Sequence, residues 1–111
     1  QKGHPLVPAG GCRDFFLHMK EDKLQDAISL IQEPLAEKAE VHKVNDLLEA
    51  GFFGHSVSDN LRSRIGNLVI LPYYGESVWW YEKNRFEQNI LGHHGGLTRE
   101  EMEIPLLALC L

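Results

Sequence analysis

A chain of 111 residues has room for one domain, and folding at this length removes roughly two-thirds of the unfolded surface from water, enough for a genuine core. Hydrophobic residues at 43% and charged residues at 24% exclude the composition of a disordered segment, and a formal net charge of -5 lacks the basic footprint of a nucleic-acid binder. No apolar run approaches the ~20 residues that span a bilayer, and the N-terminus lacks the apolar stretch of a secretory signal, so neither nucleic acid nor membrane is an expected partner and the expected location is cytoplasmic. Cys12 and Cys110 stand near opposite ends and form neither a disulfide framework nor a zinc ribbon. A start at Gln1 rather than Met reads as a piece cut from a longer protein.

Residues 1–11 are rich in Gly and Pro and serve as a lead-in. Residues 13–19 then bring aromatics and aliphatics suited to a strand, with Phe15, Leu17 and Met19 on one face and Asp14, Phe16 and His18 on the other. Asp22 is the expected N-cap of a helix, paired with Gln25. Leu24, Ala27, Ile28, Ile31 and Leu35 follow a helical period, and Pro34 is expected to kink or end the helix. Residues 40–44 alternate as a short strand, Asn45 is placed to cap a brief helix stopped by Gly51, and Ser58 to cap another ending near Gly66.

Four consecutive aliphatics at 68–71, stopped by Pro72, mark a strand buried on both faces. Residues 77–81 read as a further strand, 82–96 as loop, Thr98 to Glu101 as a capping box, and 105–111 as a final buried strand. The order predicts an α/β fold, with α+β also open: one small sheet with a main helix and short helices packed on it.

The segment Gly92-His93-His94-Gly95-Gly96-Leu97-Thr98 places imidazoles in a glycine-flanked loop beside a helix N-terminus. Glycines let backbone approach an ion or phosphate closely, and the helix start offers amide donors, so the pattern suits a metal-phosphate site as well as a plain surface turn. His-Gly-Gly, a capped Glu101-Met102 turn, then Pro105 and aliphatics resemble the last metal-ligand motif of type I phosphodiesterases and nucleotide pyrophosphatases, of the alkaline phosphatase superfamily. The stretches 13–20, 40–44 and 66–72 resemble strands of the cap subdomain that these enzymes insert before that histidine.

The resemblance implies a single domain over 1–111, divided into a cap-like subdomain at 12–82 and, at 83–111, the loop with the last ligand and the C-terminal strand of the parent catalytic domain. It implies His94 as a ligand to one of two divalent metals, usually zinc, in the parent hydrolase. The expected partners are the N-terminal catalytic part of the same parent chain and a small phosphodiester or nucleotide substrate. The family's nucleophile and its Asp-His dipeptide do not occur here, so no catalytic residue is assigned. The fragment alone is expected to be inactive and to hold no metal tightly.

Asp14-x-x-x-His18 has a ligand-like spacing, but on a strand the two side chains stand about 13 Å apart at ~3.3 Å per residue and cannot share a metal. His93 reads as a solvated loop residue, and His4, His42 and His55 have no ligand-like spacing. Arg13, Arg62, Arg64 and Arg99 read as solvated. Tyr73, Tyr74, Trp79, Trp80 and Tyr81 form an aromatic cluster whose readings are a platform for a substrate group or core packing. Phe52, Phe53 and Leu61 read as core. The alternative to the phosphodiesterase fragment is an autonomous βαβ-type binding or regulatory module without catalysis.

Overall fold

Successive aliphatics in the middle of the chain need cover on both sides, and they find it. The structure, a computed structural model, describes residues 6–80 and 87–110. Within them β1 (Ala9–Gly10), β2 (Phe15–Leu17), β3 (Ala39–Lys43) and β4 (Leu68–Pro72) form one sheet in the order β1-β2-β4-β3, every neighbouring pair antiparallel. Since β2 and β3 both oppose β4, they run parallel to each other, and the chain crosses between them through α1 (Leu24–Leu35). The result is a split βαβ unit with β4 inserted between its parallel strands. The domain is a small mixed α/β one, a four-stranded antiparallel sheet with a few helices.

Register assigns the two faces. Phe15, Val41, Leu68 and Ile70 lie on the side covered by α1 through Leu24, Ala27 and Ile28, with Ile31 and Leu35 packed at the margin. Phe16 and Val69 lie on the other side, beneath α2 (Val44–Glu49) and α3 (Asp59–Ile65), which contribute Val44, Leu47 and Ile65. Leu68 and Val69 are wholly buried, as the run at 68–71 requires. Each such side chain stabilises the fold by about 1.5–3 kcal/mol.

Helix ends follow local chemistry, with two departures from expectation. Ser58 caps α3 by accepting from the Leu61 N–H at 3.2 Å. Gly51 closes α2 at φ 83°, where the Phe52 N–H reaches Leu47 O and the Gly51 N–H reaches Leu48 O, a Schellman motif. Pro34 sits in the last turn of α1, which ends one residue later. Asp22 is not a cap: it lies within a 3-10 turn, Glu21–Lys23, that begins after Lys20. The Asn67 side chain fixes this start, accepting from Met19 N at 2.8 Å and donating to Met19 O at 2.9 Å. Asn45 likewise falls inside α2 and bonds to Glu49 instead.

Two expected strands do not form. Residues 77–80 carry no strand, although the Val78 N–H donates to Cys12 O at 2.9 Å; β1 occupies the outer edge of β2, and Tyr81 lies outside the described residues. Residues 105–110 form no strand and are exposed, with Leu106 at 91% and Leu107 at 87%; they follow α4 (Arg99–Met102) and meet no free strand. Leu111 also lies outside the described residues. Phe52 is exposed rather than core, whereas Phe53 packs on Phe16 and Leu61 joins the same cluster. Among the described residues no helix is long and apolar enough to cross a membrane.

Candidate metal-ligand loop

Arg13, read from the sequence as solvated, is the one buried charged side chain among the described residues, at 6% exposure. It stands just before β2 and reaches the far end of the chain. Nε and Nη2 donate to the two carboxylate oxygens of Glu101 at 2.7 and 3.0 Å, a bidentate pair, while Nη1 donates to the carbonyls of Tyr73, at 2.9 Å, and Glu76. Three segments remote in sequence meet at one guanidinium. The bond from Arg13 holds the Glu101 carboxyl down at about 2, against the opposing effect of burial, and the same bond raises the Arg13 pKa.

Glu101 also belongs to the capping box foreseen at Thr98. Its carboxylate accepts from the Thr98 hydroxyl at 2.8 Å and from the Thr98 N–H at 3.3 Å, which fixes the first turn of α4. Immediately before that cap, Gly95 and Gly96 adopt φ values of 91° and 96°. A Cβ on residue 96 would stand 2.6 Å from Glu101 Oε2, and one on residue 95 would stand 3.2 Å from Asp14 Oδ1. The diglycine is therefore required by left-handed backbone and by two carboxylates behind it, whether or not an ion binds.

His93 and His94 are exposed and line a cleft of about 460 Å³ together with residues of the 10–14 turn. Asp14 lines it, its Oδ1 accepting from the Gly11 N–H at 2.9 Å. Cys12 donates to Gln88 Oε1 at 3.0 Å, and burial pushes its thiol pKa up, so it remains a protonated structural group. His18 lines a different cleft with Lys20 and Arg62, so Asp14 and His18 serve separate places. His42 bonds to Glu40 at 2.8 Å and His55 is exposed; His4 lies outside the described residues. Arg62, Arg64 and Arg99 are exposed, Arg99 pairing with Glu103 at 2.8 Å. In the aromatic cluster Trp79 packs edge-on against Phe15 at 5.9 Å while Tyr74 is 75% exposed; Tyr81 lies outside the described residues.

The cleft offers imidazole and carboxylate groups, which suit a borderline divalent ion such as zinc in type. In number they fall short: among the described residues no three His, Cys, Asp or Glu side chains are grouped to hold a metal. Comparison with protein families, with curated proteins and with solved structures finds no match to this chain.

Proposed function

We propose that the chain is the cap and last-ligand piece of a metal-dependent phosphodiesterase or nucleotide pyrophosphatase, with His94 one ligand of a site completed by the rest of a parent chain. The observation that carries it is an exposed imidazole on a diglycine loop, backed by Asp14 and braced through Glu101 onto the buried Arg13. His94 is exposed at the surface, and the braced residues follow it in the chain. The exposed apolar segment from Ile104 to Leu109 supports the same role, since such surface seeks cover from another body of protein.

Within that role this chain supplies no nucleophile. His94 would present a nitrogen lone pair from a loop that joins the covered sheet. With His94 as one of its ligands, a divalent ion would supply Lewis-acid chemistry for phosphate-ester hydrolysis. The partly exposed Tyr73 and Trp79 are candidate contacts for a small phosphodiester or nucleotide.

The alternative, an autonomous binding or regulatory module, draws support from a sheet that is covered on both faces by its own helices. The test that separates them is His94→Ala in the longer parent chain. Loss of hydrolysis together with loss of one metal equivalent, and a much smaller effect from His93→Ala, supports the phosphodiesterase role. Unchanged metal content in His94→Ala refutes it.

A further inference from the structure

We propose that the cleft between the 10–14 turn and the 93–95 loop is a divalent-cation site in which the Asp14 carboxylate is a second donor beside the His94 imidazole, a role that rests on the one proposed above for His94. Asp14 and His94 are far apart in sequence, yet both line this cleft, and Asp14 Oδ1 and Oδ2 lie 3.2 and 3.6 Å from the Cβ position of residue 95. The Gly11 N–H anchors Asp14 at the cleft wall.

Charge favours a cation. No lysine or arginine is among the described residues lining this cleft, unlike the cleft that holds His18, Lys20 and Arg62. Of the two carboxylates behind the diglycine, Glu101 is committed to Arg13, and no ion pair among the described residues engages Asp14. Cys12 is committed to Gln88. The remaining donors, carboxylate oxygen and imidazole nitrogen, match zinc-class ions rather than magnesium or calcium, which take oxygen alone. With only these donors the other coordination positions fall to water, so the chain alone binds weakly and reversibly.

The experiment is a zinc titration of this chain followed by NMR. The amides of Gly11 and Gly95 and the ring protons of His94 are expected to shift together along one binding curve. Asp14→Asn keeps an oxygen to accept from the Gly11 N–H but removes the charge, and is expected to weaken binding at least about tenfold, in line with losses seen when a partner of a metal site is removed. Should that variant disturb the turn, Asp14→Ser, whose hydroxyl also accepts from Gly11, gives the same comparison. Zinc binding lost in His94→Ala but unchanged in Asp14→Asn overturns the role of Asp14 and leaves His94 standing. Weakening by Asp14→Asn with binding unchanged in His94→Ala overturns the pairing and His94's role together. Absence of any shift at millimolar zinc overturns the site.

Discussion

Arg13→Ala tests the strongest polar feature of the fold. The substitution leaves Glu101, 19% exposed at its side chain, charged beside a vacated pocket, takes the Arg13 donor from the Glu76 carbonyl, and leaves the Tyr73 carbonyl with the Glu76 N–H at 3.0 Å. Breaking a buried pair typically costs about 3–5 kcal/mol, and the partial exposure of Glu101 places this one near the lower end. Against a total of ~5–15 kcal/mol that is a large share, equivalent to a fall in the unfolding midpoint on the order of 10 °C. The sign of the pH dependence follows from Glu101, whose carboxyl titrates at about 2 in the folded chain against 4.5 as its ordinary value. A depressed acid stabilises above its unfolded pKa, so this contribution, roughly 3 kcal/mol at most, is present above pH ~5 and is lost as pH falls towards 2. Urea unfolding of wild type and Arg13→Ala at pH 7 and at pH 3 measures both effects. Arg99→Ala, which removes an exposed pair worth well under 1 kcal/mol, is the control. Equal midpoints for Arg13→Ala and Arg99→Ala, or an undiminished acid dependence in Arg13→Ala, would refute the reasoning.

Ile28→Ala removes a buried side chain from the α1 face and is expected to cost about 2–5 kcal/mol in thermal or urea unfolding, whereas His94→Ala, at an exposed loop position, should leave the midpoint nearly unchanged. Gly96→Ala forces a Cβ into left-handed backbone and against Glu101 Oε2, and is expected to cost about 1–2 kcal/mol from the backbone alone, with hydrogen exchange rising at the Thr98 amide; wild-type exchange there contradicts the role given to that glycine.

The sheet and its covering helices were legible because their signals are local and periodic. The 68–71 run had no polar residue to turn outward, so it had to be central, and the Ser58 and Thr98 caps followed from side chains within three residues of the amides concerned. Arg13 was missed because its partners lie 60 to 88 residues away, and no short-range pattern distinguishes a buried arginine from a solvated one. The only available signal was Glu101: a capping-box acid has a second oxygen to satisfy. Over 77–80 the expected strand failed for a topological reason, because β1, only two residues long and without a strong strand signature, took the outer edge of β2. His-Gly-Gly was read as room for an ion, while the carboxylates of Asp14 and Glu101 give the glycines a reason of their own.

The placement of His94 is therefore not a property of its loop alone. A helix of four residues such as α4 cannot persist by its own backbone bonds, since nucleation is unfavourable at that length. Its position comes from Glu101, and that of Glu101 from Arg13, whose backbone leads directly into β2 at the centre of the sheet. Asp14, the next residue, meets the same diglycine from the other side. The two residues entering β2 thus set both flanks of the segment that follows His94, which ties the geometry of the proposed ligand to the folding of the sheet. Built this way, the loop is anchored where it joins the domain and exposed at its imidazole, the arrangement that the proposed shared metal site calls for.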